Sequence, residues 1–195
     1  IQHVVINTDA KKRLKEKTGI DAEIVPNVMD FENTHVNKTQ ATNRFREKLG
    51  LVPRDRIVLQ PTRIVPRKGI ELAIDLVHGL SDDRFKLVVS HPSGDEGNGY
   101  CKIIRDYAEK KHVDFRLVDF EIDSPWSRNE NDRPYLSLWD VYPAAELVTL
   151  PSLIEGFGNA FLEAVWFRKP ILVNRYEVYL QDIRPIGFNC VEIDG

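Results

Sequence analysis

Short apolar runs alternate with longer amphipathic stretches along this chain. The apolar runs predict strands at Val4–Ile6, Glu23–Val25, Ile57–Gln60, Lys86–Ser90, Phe115–Val118, Leu147–Leu150, Ile171–Asn174 and Cys190–Ile193. The amphipathic stretches predict helices at Ala10–Lys17, Thr42–Leu49, Ile70–Leu80, Tyr100–Lys111 and Asn159–Phe167, with a turn near Val178–Ile183. Continuous Val, Ile and Leu runs are typical of strands buried on both faces. The alternation therefore predicts an α/β fold: a doubly wound, Rossmann-like parallel sheet with helices on both sides.

A change in composition divides the chain into unequal parts. A first β-α-β piece closes at Pro26–Asp30, and a polar stretch without apolar periodicity follows it. We therefore predict a fragment of a preceding domain over residues 1–30, a linker over residues 31–40 and the main domain over residues 41–195. The start at Ile1 rather than Met and the abrupt end at Gly195 favour a piece of a longer protein whose main domain is C-terminally incomplete.

Composition and charge exclude several classes of function. The chain has 195 residues, 42% hydrophobic and 29% charged, and its net charge of −3 lacks the basic footprint of a nucleic-acid binder. Its two cysteines, Cys101 and Cys190, lie far apart and outside metal-ligand spacing, which favours a reduced, cytoplasmic protein. No apolar run is long enough for a transmembrane segment, and no signal peptide opens the chain.

Glu155 and Glu163 flank a glycine-containing turn between a predicted strand and a predicted helix. Such a turn leaves the first N–H groups of the helix open for an anion, while the two acids suit hydroxyl groups on either side of it. A ligand with a sugar, a diphosphate and a ribose fits this pattern. Two plainer readings remain open: Glu155 could form a helix-capping box with Ser152, and Glu163 could be an exposed residue early in the helix.

Cations follow another predicted strand, Ile57–Gln60. Arg63 and Lys68 lie in a loop that Pro66 stiffens, and both could reach the same diphosphate. The alternative is a pair of solvated surface cations. Because ligands of open α/β sheets bind beyond the carboxyl ends of the strands, the position of the loop favours phosphate binding.

Two further groups of polar residues have a weaker claim to function. His91 follows a predicted strand, and without a nucleophile near it in sequence a structural role is favoured over a catalytic one. Asp119, Glu121 and Asp123 alternate along an extended segment and could hold a hard cation, although a solvated loop is the better interpretation.

The motifs together resemble a known family. The stretch Glu155-Gly-Phe-Gly-Asn-Ala-Phe-Leu-Glu163, its approach Pro151-Ser-Leu-Ile154, the loop Arg63-x4-Lys68-Gly69 and the segment Val25–Asp30 are similar to those of family 4 (group 1) retaining glycosyltransferases. The similarity covers most of the chain. It implies the C-terminal, donor-binding half of a glycosyltransferase B-type fold, which has two Rossmann-like domains.

The resemblance also implies a role for each site residue. Glu155 would contact the donor sugar, and Glu163 the ribose hydroxyls. Arg63 and Lys68 would neutralise the departing diphosphate, and the backbone near Val118 and Phe120 would lie beside the base. The turn would hold the sugar and phosphate through the following residues: Gly156, Phe157, Gly158, Asn159 and Ala160.

The activity implied is hexosyl transfer, with glucose or mannose as the sugar. The donor would be a nucleotide-diphosphate sugar, neither metal nor other cofactor would be required, and the hydroxyl acceptor would be bound through the missing N-terminal domain. We therefore expect this fragment to be inactive alone. Two alternatives stay open: a non-catalytic module that binds a nucleotide or sugar phosphate, and a sugar-nucleotide epimerase, against which the glutamate pair argues.

Overall fold

The apolar runs of the chain form strands in the structure, a computed structural model that describes residues 1–32, 38–91, 98–118, 122–123 and 136–195. The strands are β1 (Val4–Val5), β2 (Glu23–Ile24), β3 (Arg56–Arg63), β4 (Phe85–His91), β5 (Phe115–Leu117), β6 (Ile122–Asp123), β7 (Leu136–Ser137), β8 (Ala145–Leu150), β9 (Ile171–Asn174) and β10 (Val191–Ile193). Each predicted strand is confirmed. Strands β6 and β7 were not predicted, because each is a short run beside a polar stretch where the apolar pattern is weak.

The amphipathic stretches form helices. These are α1 (Thr8–Thr18), α2 (Lys38–Lys48), α3 (Ile70–Leu80), α4 (Asn98–Lys110) and α6 (Asn159–Trp166). The four-residue helix α5 (Leu138–Val141), which lies between α4 and α6, was not predicted, because one turn is too short to show a helical period. A π-helical turn at Tyr179–Ile183 confirms the turn predicted there, and 3-10 turns span Pro66–Lys68, Tyr142–Ala144 and Arg184–Ile186. Because α2 begins at Lys38, it takes up the end of the stretch predicted as a linker; a polar sequence does not exclude a helix, since Lys and Gln are good helix formers.

A six-stranded sheet in the order β10-β9-β8-β3-β4-β5 forms the centre of the molecule, and each of its strand pairs is parallel. Its two faces carry separate apolar clusters. Phe45 of α2 and Phe161 of α6 belong to one cluster, and Ile74 of α3 and Ile104 of α4 belong to the other. Helices therefore cover both faces, and the predicted doubly wound fold is confirmed.

The sheet changes direction at β3. The chain proceeds from β3 to β4 and β5 on one side, and then returns to add β8, β9 and β10 on the other. In doubly wound sheets the ligand crevice lies beyond the carboxyl ends of the strands at such a switch point. The loop after β3 and the loop after β8 meet at this point.

The N-terminal residues stand outside the main sheet. β1 and β2 form their own parallel pair, and α1 connects them. Within the part of the chain that the structure describes, no helix has the length and apolar character needed to cross a membrane.

Candidate functional site

A cleft of about 500 Å³ opens at the switch point of the sheet. The loop after β3 and the loop after β8 form most of its walls. The predicted site residues that line it are Arg63, Lys68, Glu155, Gly156, Phe157, Gly158, Asn159, Ala160 and Glu163. The predicted cations and the predicted acids, which are far apart in the sequence, therefore line the same cavity.

The two loops are held against each other by their backbones. Leu153 N donates to Arg67 O at 2.9 Å, which joins the two loops directly. The buried Gln60 side chain of β3 donates from Nε2 to Lys68 O, also at 2.9 Å, and fixes the basic loop to its own strand. Gly69 adopts a left-handed φ of 60°, and a Cβ atom there would lie 2.3 Å from Pro151 O. Only glycine allows both this conformation and this approach, so Gly69 lets the basic loop reach the loop that carries Glu155.

The Glu155 carboxylate connects the two loops through ion-pair contacts with the basic loop. Its Oε2 forms an ion pair with Lys68 Nζ and lies 3.8 Å from Arg67 Nη1. The hydroxyl of Ser152 donates to the same oxygen at 3.4 Å, and Gly156 N donates to Oε1 at 3.3 Å. The side chains of Lys68 and Glu155 are only 12% and 19% exposed, so this is a partly desolvated contact rather than a surface ion pair.

The capping-box reading of Ser152 and Glu155 is wrong, because α6 begins at Asn159 and its N-cap is Gly158. Gly158 has a φ of 89° and lies beside Tyr176, whose hydroxyl donates to Phe157 O at 3.4 Å. Gly158 has no side chain that could cap the helix. The first N–H groups of α6 consequently stand at the cleft, where they suit an anion.

Glu163 lies in α6 and is partly buried. Its Oε2 accepts a hydrogen bond of 2.5 Å from the hydroxyl of Tyr142, a fully buried residue. Burial raises the pKa of the Glu163 carboxyl, and the bond from Tyr142 opposes that rise. The reading of Glu163 as an ordinary exposed helix residue is therefore wrong.

Arg63 and His91 occupy the far wall of the cleft, at the carboxyl ends of β3 and β4. They are register partners in the sheet, and Arg63 is exposed. Burial, and then the charge of Arg63, lower the pKa of His91, whose Nδ1 lies 2.7 Å from the hydroxyl of Ser90. His91 thus lines the cleft, with a lowered pKa, beside the exposed Arg63 side chain.

The structure also adds residues that the sequence pattern did not single out. Asn7 Nδ2 donates to Gly156 O at 2.9 Å, and Asn27 Nδ2 donates to Asn159 Oδ1 at 2.6 Å. Both come from the N-terminal residues, and Asn27 lines the cleft together with Ile6, Arg67 and Tyr176. The sequence does show Arg67 directly before Lys68 in the basic loop. The contacts of Asn7 and Asn27 had no signal in the sequence, because their partners are more than a hundred residues away.

Of the two residues predicted to lie near the nucleotide base, Val118 and Phe120, only Val118 is described, and it does not line the cleft. The Val118 side chain is buried in the apolar core, and its backbone N–H donates to Val89 O at the end of the sheet. Phe120 lies outside the described residues, as do Asp119 and Glu121 of the alternating acidic segment. Among the described residues, no group of three or more His, Cys, Asp or Glu side chains is arranged to hold a metal ion.

Comparison with known proteins identifies relatives of this chain. It is 37% identical over 210 residues to mannosylglucosylglycerate synthase of Petrotoga mobilis and 35% identical over 209 residues to the protein of the same name from Thermotoga maritima. Each match covers 99% of this chain but only 48% and 46% of the respective relative. The chain thus spans about half the length of these relatives. No protein-family model matches the sequence.

Solved structures share the fold. Anabaena HepE in complex with UDP and glucose superimposes with a TM-score of 0.75 at 15% identity, covering 99% of this chain and 49% of that protein. The C-terminal domain of a Francisella tularensis glycosyl transferase group 1 family protein superimposes with a TM-score of 0.61 at 16% identity, covering 86% of this chain and 80% of that domain. The chain therefore belongs to the glycosyltransferases with the GT-B fold, and its fold matches the C-terminal domain of such a protein.

Proposed function

We propose that the cleft binds a nucleotide-diphosphate sugar and that the complete protein transfers its hexose, glucose or mannose, to a hydroxyl acceptor with retention of configuration. One observation carries this proposal: the cations of the loop after β3 and the acids of the loop after β8 line one cleft, joined by the contact between Lys68 and Glu155. The names of the relatives, which contain mannosyl and glucosyl groups, support the choice of hexose.

The charged side chains of the cleft suit a ligand that carries both a diphosphate and hydroxyl groups. Arg63, Arg67, Lys68 and the N-terminus of α6 offer positive potential to a diphosphate. Glu155 and Glu163 offer oxygen acceptors to hydroxyl groups at either end of it. The fold relative HepE has been crystallised with UDP-glucose, a ligand of this composition.

The chemistry follows from where charge develops. As the bond between the sugar and the diphosphate breaks, negative charge grows on the leaving phosphate, and preorganised cations stabilise that state more than the ground state. We propose this role for Lys68 and Arg63, and we propose that Glu155 orients the sugar hydroxyls. We propose same-face departure and attack, without a covalent intermediate and without a metal or other cofactor. The nucleotide base is proposed to lie near the backbone of Val118.

The chain spans about half the length of its relatives, and we propose that the other half of such a protein supplies the rest of the reaction. We propose that residues 1–30 are the end of the acceptor-side domain, that residues 31–40 connect it to the donor side, and that this chain alone does not catalyse transfer. Asn7 and Asn27, which contact the glycine turn from those N-terminal residues, support a junction at this place.

The experiment measures transfer by the full-length protein with UDP-glucose and GDP-mannose as donors and glycerate and glucosylglycerate as acceptors. Glu155→Ala, Arg63→Ala and Lys68→Ala should each abolish most transfer. Arg54→Ala, which removes an exposed arginine paired with Asp83 outside the cleft, is the matched control and should leave transfer unchanged. Near wild-type turnover in any two of the three cleft variants would contradict the proposal.

Calorimetry with the same protein separates an enzyme from a binding module. Binding of UDP, GDP or ADP without transfer to any acceptor tried would favour a module that holds nucleotides. An altered sugar in the recovered donor, formed without acceptor, would instead show an epimerase.

A further inference from the structure

We propose that Tyr142 is a positioning residue for nucleotide recognition: its phenol fixes and keeps ionised the Glu163 carboxylate that receives the ribose hydroxyls of the donor. This inference rests on the proposed function, which assigns the ribose to Glu163. Tyr142 itself does not line the cleft; it acts through Glu163.

The Tyr142 side chain is held rigidly behind Glu163. It is fully buried, and its ring stacks on the ring of Phe167 with centroids 5.0 Å apart and planes 4° from parallel. Lys169 Nζ donates to Pro143 O at 3.0 Å and to Ala145 O at 2.8 Å, which pins the turn that follows Tyr142. The phenol therefore cannot swing away without disturbing packed neighbours.

The two oxygens of the Glu163 carboxylate differ in their contacts. Oε2 accepts the 2.5 Å bond from Tyr142, while Oε1 has no hydrogen-bond partner among the described residues. A carboxylate held at one oxygen has the direction of the other oxygen fixed as well, and Glu163 lines the cleft. Such a group suits the two neighbouring hydroxyls of a ribose, which need an oriented, charged acceptor.

Tyr142 also favours the charged form of that acceptor. Burial raises the pKa of Glu163, and the Tyr142 bond is the contact that works against burial. The phenol remains a donor, because burial and then the charge of Glu163 raise the pKa of Tyr142. The other ionisable groups that line the cleft with Glu163 are Arg63, Arg67, Lys68, His91, Glu155 and Tyr176.

The test compares Tyr142→Phe with Tyr179→Phe in the full-length protein. Tyr179 is the matched control, since it is equally buried and its hydroxyl donates to a different glutamate, Glu192, at 3.0 Å and outside the cleft. Affinities for UDP and for 2′,3′-dideoxyuridine diphosphate are measured by calorimetry across a range of pH. If another nucleoside diphosphate binds better than UDP, it and its dideoxy analogue serve as the probes.

Tyr142→Phe should weaken the ribonucleotide about tenfold, the effect expected for loss of a hydrogen bond to a charged group, and leave the dideoxy analogue unchanged. The pH below which ribonucleotide affinity falls should move upward, because the Glu163 carboxylate loses the bond that opposes its protonation. Tyr179→Phe should change neither property.

Equal losses for both nucleotides, or an unchanged pH profile, would overturn the positioning role while leaving the proposed function intact. Failure of the wild type to bind any nucleoside diphosphate would overturn the proposed function and this inference with it. If Tyr142→Phe does not fold, 3-fluorotyrosine at position 142 gives the converse test at nearly constant volume. Its more acidic phenol should lower the pH below which ribonucleotide affinity falls. An unchanged pH would overturn the inference.

Discussion

Lys68 Nζ and Glu155 Oε2 form a partly buried ion pair that joins the loop after β3 to the loop after β8. The two residues are 87 positions apart in the sequence. Lys68 is therefore committed to a carboxylate at the place where we propose that a diphosphate binds. The ligand must compete with Glu155 for this cation, unless a sugar hydroxyl engages Glu155 at the same time.

Replacing Glu155 with Gln should tighten the binding of a nucleoside diphosphate that lacks the sugar, while transfer is lost. The substitution removes one negative charge beside the phosphate site and frees Lys68. A unit charge about 4 Å away contributes about 1 kcal/mol even at the dielectric of bulk water, so a gain of at least roughly fivefold in affinity is expected. Calorimetry with UDP measures the effect, and Glu177→Gln, at an exposed residue outside the cleft, is the control with the same charge change. Weaker UDP binding would show instead that Glu155 serves mainly to hold Lys68 in place.

Replacing Glu163 with Gln should raise the melting temperature near neutral pH. Because the folded-state pKa of Glu163 is raised by burial, the stability linked to this group is fully present below its usual pKa and is lost as the pH rises through the raised value. Glutamine is neutral throughout and avoids that loss. Thermal melts at about pH 7 and about pH 4 should therefore show a gain at the higher pH that shrinks at the lower. An equal difference at both pH values would contradict the linkage.

Replacing Gly69 with Ala should destabilise the fold by about 2 kcal/mol or more, since a left-handed φ and a contact with Pro151 O both oppose a Cβ atom. Gly79→Ala is the matched control: Gly79 lies near the end of α3, and a Cβ there meets nothing within 4 Å. That variant should be neutral or more stable by up to about 1 kcal/mol. Urea unfolding measures both, and similar midpoints for the two variants would show that the loop can yield without cost.

Replacing Asn7 with Asp should loosen the contact between the N-terminal residues and the glycine turn. Asn7 caps α1 by accepting from Ala10 N at 2.7 Å and donates to Gly156 O. Aspartate keeps the cap but sets a carboxylate oxygen against a carbonyl oxygen, which costs about 1–3 kcal/mol. Asn7→Ser, which keeps a capping oxygen without the added charge, is the control. Both variants lose the Nδ2 donor to Gly156 O, so their difference reports the repulsion. A lower melting temperature for Asn7→Asp than for Asn7→Ser is expected, and the reverse order would show that the carboxylate is not forced against the carbonyl.

The sequence by itself determined the elements of this protein. Buried parallel strands appear as continuous apolar runs, as in Ile171–Asn174, and helices appear as a period, as in Ile70–Leu80; both segments have the predicted bounds in the structure. Strands β6 and β7 and the start of α2 were missed because they lie in polar stretches where the local pattern is weak. Most of the predicted site residues could also be named, because loops after parallel strands meet at one edge of the sheet.

Only the tertiary structure decided how those residues act on one another. The order β10-β9-β8-β3-β4-β5 brings Lys68 to Glu155, and packing behind α6 brings Tyr142 to Glu163. The order also leaves the Val118 side chain in the core rather than at the cleft. A local pattern reports which face of an element is apolar, but contacts between distant residues depend on how the faces pack. The sequence therefore identified the acids and cations, while the fold determined that Glu155 and Lys68 hold each other and that Glu163 is held by Tyr142.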